Sequence, residues 1–545
     1  YIRGANDDAG LILLDGIPLN DPIGVSRSYD FLDNLSLDGV KQIEVLRGPQ
    51  GALYGSSAQS GVVNIITQDG QGPLGGSFLA EGGSYGTFLE QASAQAGEAN
   101  ADFSLTASRF DTDGFPAADK AAGDTLNNPD SDTSGLLKVG LSPAKDVSAD
   151  LVARYSQSHA NLLQYAGPGG VDPNNFADQK QLALGGQTRL ALGDWEQVLG
   201  LCFADDNRIY NDKFDAAYPS SSDRSGHYDG QMAKVSWQNN LRLAPEETLI
   251  LGLEGYKEWG YVDDAAYFDA VKANAEMGSA FISSQTNLEN RFFLNLGVRG
   301  DAHNQFGTHA TFQAGAAYFV PGPETKLSAN VGTGFEAPDL YQLYDPSYGN
   351  PGLKPETNSG FDFGLEQPLG PVRVGATFFH ADYSNLFGDD PSTFQYINVS
   401  SARTQGLESF AVLEGVKNLA LRLSYSYLDS RDLSTSANDL DAGLPLIRRP
   451  AHQGTLDADY DFGGLQVGGT LRYVGTRLDE DFNGFPAKVV TMPSYWLADL
   501  RAAVELDSRW KLLGRVENLF DQSYEQIFGY TTPRFSAYGG VKVSL

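Results

Sequence analysis

Residues 419–428 read LALRLSYSYL, and their side chains alternate between large apolar types and small or polar types. In an extended chain Leu423 and Tyr425 fall on one face, whereas Arg422 and Ser424 fall on the other. Such alternation predicts a β-strand whose two faces meet different surroundings. Taken alone, this one segment fits a soluble antiparallel sheet with one wet face equally well.

The same pattern recurs from about residue 74 to the C-terminus, in segments separated by Gly, Asp, Asn, Pro and Ser. A soluble sandwich of that length would divide into domains joined by linkers, and no linker is recognisable. Lipid outside and water inside explain the pattern, because a membrane-spanning sheet must close on itself to satisfy its backbone. At about 21 residues per strand and connection, the length predicts an all-β membrane protein, an antiparallel transmembrane β-barrel of about 22 strands.

The composition is that of a turn-rich β-protein, with 62 Gly and with 26 Tyr and 30 Phe. The net charge is 38 − 69 = −31. Nucleic acid is therefore not expected as a partner, because phosphates need a surface of Lys and Arg. Cys202 is the only cysteine in the sequence, which excludes an internal disulfide. No apolar run approaches the roughly 18 residues of a spanning helix.

The first 72 residues lack the long alternating segments and are predicted to form a separate unit. A barrel of about 22 strands has a lumen too wide for its own side chains to fill, so this unit is predicted to plug it. The sequence thus divides into a small mixed α/β plug domain at 1–72 and a transmembrane β-barrel at 73–545. The predicted plug elements are a strand–turn–strand unit at 11–21 with its turn at Asp15-Gly16, a short helix at 28–37, and strands at 40–49 and 61–67.

The stretch GPQGALYGSSAQSGVVNIIT at 48–67, with IEVLR before it, resembles the plug signature of TonB-dependent outer-membrane transporters. Segments 1–6, 332–366, 398–408 and 516–545 resemble further motifs of that family. The resemblance implies active uptake of a large, scarce ligand across the outer membrane of a Gram-negative bacterium, energised by the TonB complex of the inner membrane. It also implies that the first part of the plug, with the TonB box, precedes residue 1. The other expected partners are outer-membrane lipid and lipopolysaccharide, and the expected state is a monomer.

One branch of the family, the cobalamin (vitamin B12) transporters, is most similar at PLIRRPAHQ (445–453) and YVGTRLDEDFNGFP (473–486). Carried over from that branch, the implied ligand-binding residues are Asn6, Val25, Ser26, Arg448 and Phe482. The family usually has Tyr at the last of these positions, so Phe482 implies one hydrogen bond fewer. Structural roles remain open as alternatives for these residues. The side chain of Asn6 can hydrogen-bond the backbone of its own turn instead of a ligand. Arg448 and Arg449, as neighbours on a strand, can instead extend their charged ends to the water at the membrane boundary.

Acidic residues crowd the segments that the pattern assigns to the early loops. The cobalamin branch binds calcium in such loops, and the resemblance implies Asp172, Asp178, Asp215 and Asp223 as calcium ligands. Calcium sites need several converging oxygens. A solvated acidic loop is the alternative for the same residues.

Three other functions are weighed against cobalamin uptake. A ferric siderophore or haem receptor of the same fold stays open, because the predicted plug apex at 20–30 contains Arg27 and Tyr29. A passive porin or adhesin is disfavoured, because a porin has no plug and an adhesin needs longer loops. An enzyme is not expected, because the sequence has no convincing acid–base or nucleophile constellation. No catalytic cofactor is therefore expected, and calcium is the one ion considered.

Overall fold

The elements of the fold run in chain order from a short N-terminal sheet to a long series of antiparallel strands. The computed structural model describes residues 1–6, 9–24, 37, 39–118, 126–165, 171–212, 224–264, 270–390, 393–399, 401–434, 442–481 and 487–545. The first elements are β1 (Gly10–Leu14), β2 (Ile17–Pro18), β3 (Val40–Arg47), α1 (Gly51–Tyr54) and β4 (Gly61–Thr67). They are followed by β5 (Gly75–Gly83), β6 (Phe88–Glu98), β7 (Ala101–Thr112), β8 (Asp130–Ala144), β9 (Val147–Tyr165), β10 (Val171–Leu192), β11 (Trp195–Asp212), β12 (Arg224–Ala244), β13 (Glu247–Asp264), β14 (Val271–Leu288), β15 (Phe292–His303), β16 (Gly307–Phe319), β17 (Lys326–Glu336), α2 (Leu340–Tyr344), β18 (Glu356–Leu369), β19 (Val372–Ser384), β20 (Phe387–Asp389), β21 (Tyr396–Asn398), β22 (Ser401–Leu413), β23 (Leu419–Asp432), β24 (His452–Asp461), β25 (Leu465–Val474), β26 (Arg477–Asp481), β27 (Lys488–Met492), β28 (Tyr495–Glu505), β29 (Trp510–Glu517) and β30 (Ser536–Ser544).

Within the described ranges, 22 strands form one closed antiparallel barrel, as predicted. Chain neighbours pair around the cylinder, and β30 pairs with β5 to close it, from Tyr538 opposite Gly83 to Ser544 opposite Ser77. The hairpins β20–β21 and β26–β27 lie outside this ladder, in connections between barrel strands. Closure leaves no unpaired strand edge, which is the condition for a sheet to exist in lipid.

The outer face of the barrel carries the large apolar side chains that the alternating pattern placed there. On β23, Leu423, Tyr425 and Tyr427 are 49%, 40% and 40% exposed. This degree of exposure suits side chains that contact lipid instead of water. The alternation at 419–428 is therefore confirmed as the lipid-facing and lumen-facing sides of one strand. No helix among the described residues is both long and apolar enough to cross a bilayer.

The plug domain contains a mixed sheet in the order β2-β1-β4-β3, with β1 parallel to β4. The predicted turn at Asp15-Gly16 is confirmed: both residues have positive φ, 47° and 86°, and they join β1 to the antiparallel β2. The strand predicted at 61–67 is confirmed as β4. The predicted helix at 28–37 lies, apart from Leu37, outside the described residues. The predicted division at 72/73 falls between β4 and β5, and its position stays a prediction.

Two glycines of the 48–67 stretch show why small residues are needed there. Gly61 has a φ of 156°, and a Cβ atom on it would lie 2.2 Å from the carbonyl oxygen of Leu46 in the neighbouring strand β3. A Cβ atom on Gly51 would lie 2.8 Å from the carbonyl oxygen of Thr333 on the barrel strand β17. The first glycine lets the plug sheet close, and the second lets α1 approach the barrel backbone.

The plug is seated on one side of the lumen by apolar packing. Ile12, Leu14, Ile17, Leu19 and Ile65 form one buried cluster with Val152 and Ala183 of the barrel. Removing each of these large side chains from water contributes about 1.5–3 kcal/mol. Ile17 projects to within 2.5 Å of the place that a Cβ atom on Gly185 would occupy, so β10 has a depression where the plug fits.

Candidate functional site

The plug apex, defined here as residues Asn20–Gly24, is held by a buried ion pair with the barrel. The carboxylate of Asp21 accepts a hydrogen bond from Arg208 on β11, and the two side chains are 0% and 7% exposed. Arg208 also lies 3.8 Å from Asp206, which is 1% exposed. The same Asp21 side chain accepts from the backbone N–H of Ile23 at 2.9 Å. One arginine thus balances two buried carboxylates and fixes the apex against the wall.

A pair of glycines makes room for the apex in the barrel wall. Gly230 of β12 and Gly260 of β13 are register partners. A Cβ atom on Gly230 would lie 2.0 Å from Asp21, and one on Gly260 would lie 2.8 Å from Ile23. These two glycines are called the apex recess below. Any larger side chain there would displace the plug.

A group of aromatic rings surrounds the plug apex. Tyr210 of β11 contacts Tyr228 of β12, with ring centroids 5.6 Å apart. Tyr228 contacts Tyr341 of α2 at 6.3 Å, and Tyr341 contacts Tyr396 of β21 at 6.1 Å. We call these four residues the tyrosine cluster. Tyr341 also packs in a buried group with Ile23 of the apex.

The rings of the tyrosine cluster differ in exposure: Tyr210 is 37% exposed, Tyr228 and Tyr396 are half-buried, and Tyr341 is 8% exposed. Burial raises the pKa of Tyr341, and the nearby Asp345 carboxylate adds to the effect. Its phenol therefore stays protonated at physiological pH and can donate a hydrogen bond.

Helix α2 is positioned by a capping box, in which the Asp339 side chain accepts from the backbone N–H of Gln342 and the Gln342 side chain accepts from the backbone N–H of Asp339. The backbone N–H of Leu340 binds the carbonyl oxygen of Pro22, which ties α2 to the plug.

Ion pairs and hydrogen bonds also attach the plug to strands β17, β18 and β22, here called the anchored wall. Arg3 pairs with Asp362 at 2.9 Å and with Glu408 at 3.3 Å. Arg47 pairs with the same Glu408 at 2.9 Å. The amide of Gln59 lies 3.4 Å from both Glu336 and Glu356. Arg3 and Arg47 therefore make the charged contacts between the plug and this wall.

Asn6, predicted to contact the ligand, lies in an N-terminal segment held by the second of the two adjacent arginines. Arg449 donates to the side-chain oxygen of Asn6 at 2.9 Å, and to the carbonyl oxygens of Gly4 and Ala5 at 3.3 Å each. Its guanidinium lies 3.8 Å from the centre of the Tyr1 ring. Asn6 therefore contacts Arg449, and its role in ligand binding stays a prediction.

Arg448 adopts a different arrangement from the strand position assumed in the sequence analysis. Arg448 lies in a turn between β23 and β24 with a φ of 60°, and its backbone N–H binds the carbonyl oxygen of Leu478. Its side chain, 28% exposed, pairs at 2.8 Å with Asp479, which is fully buried. The strand assignment is wrong because the chain reverses here. The role of Arg448 in ligand binding stays a prediction.

Three of the predicted ligand-binding residues, Val25, Ser26 and Phe482, lie outside the described residues, as do Arg27 and Tyr29. Asp215 and Asp223 of the predicted calcium site also lie outside them. Asp172 is part of strand β10, and its side chain is outside the description. The ligand roles of these residues stay predictions.

Asp178 shows that the early acidic segment is not a loop. It lies on β10 opposite His159 of β9, to which it is hydrogen-bonded at 2.7 Å. Asp206, on the adjacent β11, accepts instead from Gln179 and Gln181. The loop assignment of Asp172 and Asp178 is wrong, because cross-strand pairing extends the ladder through them. No group of three or more His, Cys, Asp or Glu side chains converges among the described residues, and calcium stays a prediction.

The sequence analysis did not identify the tyrosine cluster or the Asp21–Arg208 ion pair. Their residues come from five separated segments, and no local spacing connects them. One signal in the sequence could have indicated the cluster: the two tyrosines of LYQLY at 340–344. This stretch lies within 332–366, which the sequence analysis treated only as a motif of the family.

Comparisons with known proteins agree with this architecture. Residues 1–62 match the family model described as the TonB-dependent receptor plug domain, and residues 253–519 match the model described as TonB dependent receptor-like, beta-barrel. The siderophore receptor PirA from Acinetobacter baumannii superposes with a TM-score of 0.83 at 17% identity, covering 100% of this chain and 91% of that one.

Two further solved structures have similar folds. The copper transporter OprC has a TM-score of 0.82 at 19% identity, with 100% of this chain and 92% of that one covered. A mutant of the ferric enterobactin receptor PfeA from Pseudomonas aeruginosa has a TM-score of 0.80 at 18% identity, with 100% and 91% covered.

A closed barrel with a domain anchored in its lumen defines the class of plugged outer-membrane receptors. The chain belongs to the family of TonB-dependent receptors, which transport ligands and are located in the outer membrane of Gram-negative bacteria.

Proposed function

We propose that this receptor imports a ferric siderophore into the periplasm. The observation that carries the proposal is the tyrosine cluster, which brings aromatic rings from two barrel strands and two connections to the plug apex. Aromatic surfaces with phenol donors suit a ligand that presents flat rings and oxygen atoms. One of the similar solved structures is titled a siderophore receptor and another a ferric enterobactin receptor, which supports this class of ligand.

A titration of the purified receptor tests this proposal. Ferric enterobactin, a ferric hydroxamate and cyanocobalamin are compared as ligands, each with and without calcium because of the predicted calcium ligands. We expect a ferric siderophore to bind at least tenfold more tightly than cyanocobalamin. Tighter binding of cyanocobalamin than of any siderophore would contradict the proposal.

Tyr341→Ala is expected to weaken siderophore binding by about 2 kcal/mol, which corresponds to roughly a thirtyfold rise in Kd. The reason is that the central ring of the cluster is lost. Tyr318→Ala is the matched control, because Tyr318 lies on the outer face of β16 and is 40% exposed. Its Kd is expected to stay unchanged. Equal Kd values for both variants and the parent would remove the tyrosine cluster from the site.

Cobalamin uptake is the second candidate, favoured by the similarity of segments 445–453 and 473–486 to that branch. The contact between Asn6 and Arg449 joins the plug to the first of these segments at the lumen, which supports a ligand site there. None of the similar structures described above is titled a cobalamin receptor.

Arg448→Ala distinguishes the two candidates. If cobalamin is the cargo, the loss of one ligand hydrogen bond is expected to weaken cyanocobalamin binding by about 1–3 kcal/mol. Asp479→Asn is the control, because it removes the ion-pair partner of Arg448 and keeps the arginine available to the ligand. An unchanged cyanocobalamin affinity in Arg448→Ala would exclude Arg448 from the site.

A further inference from the structure

A shallow cavity of about 1500 Å³ lies on the outer face of the barrel, across strands β8 to β15. Its lining includes Leu199 and Leu201 of β11 and Val235 of β12, which belong to the lipid-facing side of their strands. Leu201, for example, is 66% exposed. All of the lining residues come from the barrel, so the cavity is separate from the site at the plug apex. We call it the outer groove.

Glycines on the lipid-facing side form the floor of the outer groove. One register row leads from Leu151 of β9 through Gly186 of β10 and Leu201 of β11 to Gly255 of β13 and Gly278 of β14. Between large apolar side chains, these glycines leave the outer face recessed. A Cβ atom on Gly278 would meet nothing within 4 Å, so the space in front of this glycine is open.

The outer groove rises from the apolar depth of the membrane to its extracellular boundary. Short turns mark the periplasmic end of such barrels. At the low end of the groove, Leu151 is close to the short turn between β8 and β9, because β9 begins at Val147. At the high end, Ala302 precedes the last residue of β15, where the chain turns on the extracellular side. The groove therefore opens into the outer leaflet.

Polar side chains line the upper end of the outer groove. Lys257 of β13 lies 2.6 Å from Glu276 of β14, and its ammonium group lies 5.3 Å from the centre of the Trp259 ring. Higher on the same face, the ammonium group of Lys272 lies 5.6 Å from the centre of the Tyr261 ring. An exposed ion pair such as Lys257–Glu276 is weak, so the ammonium group of Lys257 can also donate to a bound anion.

This combination matches a phosphorylated sugar that carries several acyl chains. Lysine ammonium groups donate to phosphate oxygens, and the Glu276 carboxylate can accept from sugar hydroxyls. Trp259 and Tyr261 lie where aromatic rings meet lipid headgroups. At about 30 Å³ each, the liquid volume of a water molecule, the groove holds roughly fifty groups of methylene size, which is more than two acyl chains supply.

We propose that the outer groove binds lipid A, the membrane anchor of lipopolysaccharide. The acyl chains lie along Gly186, Gly255 and Gly278, and a phosphate of the glucosamine headgroup meets Lys257. Lipid A forms the outer leaflet into which the groove opens, and it has both the phosphates and the number of chains that the groove fits. Because it binds the folded barrel alone, it also stabilises the receptor. This inference does not depend on the identity of the imported ligand.

Filling the groove tests the position of the acyl chains. The full receptor is purified in detergent, freed of lipopolysaccharide and titrated with hexa-acylated lipid A, with binding followed by native mass spectrometry. Gly278→Leu is expected to weaken binding by about tenfold, the effect of losing contact with two methylene groups. Gly539→Leu is the matched control, because Gly539 lies on the outer face of β30 and its Cβ atom would also meet nothing within 4 Å. Its affinity is expected to stay unchanged.

Folding of each variant is checked by its faster migration in an unheated detergent gel. If Gly278→Leu does not fold, Gly278→Val takes its place with the same expected direction, since valine is smaller and favoured in strands. Equal lipid A affinity in the folded Gly278 variant and in the Gly539 control would overturn the proposal.

A second substitution tests the phosphate contact. Lys257→Gln is expected to weaken lipid A binding by about fivefold through the loss of a charge-assisted hydrogen bond. Lys417→Gln is the control, because Lys417 lies in the short periplasmic turn between β22 and β23. Dephosphorylated lipid A is expected to bind the parent and Lys257→Gln equally. Unchanged lipid A affinity in Lys257→Gln, or dioleoylphosphatidylglycerol binding to the parent as tightly as lipid A, would overturn the proposal.

Discussion

Arg208→Met is expected to release the plug apex and to make the closed receptor leak ions. The substitution leaves the carboxylates of Asp21 and Asp206, 0% and 1% exposed, without this guanidinium. Removing one partner of a buried ion pair typically costs about 3–5 kcal/mol. The measurement is the conductance of the receptor in a planar lipid bilayer, together with the temperature at which the plug unfolds.

Two controls make the Arg208 result specific. Arg501→Met removes an exposed ion pair with Asp459, whose side chains are 46% and 50% exposed, and it is expected to cost at most about 1 kcal/mol. The double variant Asp21→Asn with Arg208→Met is expected to regain part of the stability lost in Arg208→Met, because the buried carboxylate of Asp21 is then replaced by a neutral amide. Equal conductance and stability in Arg208→Met and Arg501→Met would show that the apex ion pair does not hold the plug.

Gly61→Ala is expected to prevent the plug sheet from closing. The new Cβ atom would lie 2.2 Å from the carbonyl oxygen of Leu46, and the backbone φ of 156° is one that side chains rarely allow. Strain and displacement of β3 together are expected to cost about 3 kcal/mol. The measurement is the plug's calorimetric transition and its resistance to a protease added from the periplasmic side.

The control for Gly61 is its register partner. Gly10 lies opposite Gly61 in the parallel pair of β1 and β4. A Cβ atom on Gly10 would meet nothing closer than 3.7 Å, so Gly10→Ala is expected to leave the plug intact. A similar loss of plug stability in both variants would mean that the replacement of a flexible glycine lowers the stability, and not the contact with Leu46.

Elements whose information is local could be predicted from the sequence. The period-two pattern indicated the strands, the chain length indicated their number, and Asp15-Gly16 marked the plug turn. A strand pattern depends on neighbouring residues only, and a closed barrel follows from the requirement that every backbone group be paired. The early acidic segment was misassigned for a related reason, because polar residues on both faces of β10 and β11 conceal a strand that continues.

The contacts that hold the plug could not be predicted in the same way. Asp21 and Arg208 are separated by 187 positions, and nothing near either residue indicates the other. Adjacent Arg448 and Arg449 were expected on a strand, but a turn directs one to Asp479 and the other to Asn6. Side chains from distant segments meet only once the barrel has fixed where each strand lies.

The arrangement of β12 has an evolutionary consequence. Tyr228 of the tyrosine cluster and Gly230 of the apex recess occupy successive inward positions on that strand. Selection for a different nutrient can change the aromatic residue while the glycine next to it is preserved. Receptors that descend from one ancestor can thus change ligand specificity while the plug still seals the barrel. Among them, sequence variation is expected to be wide at position 228 and narrow at position 230.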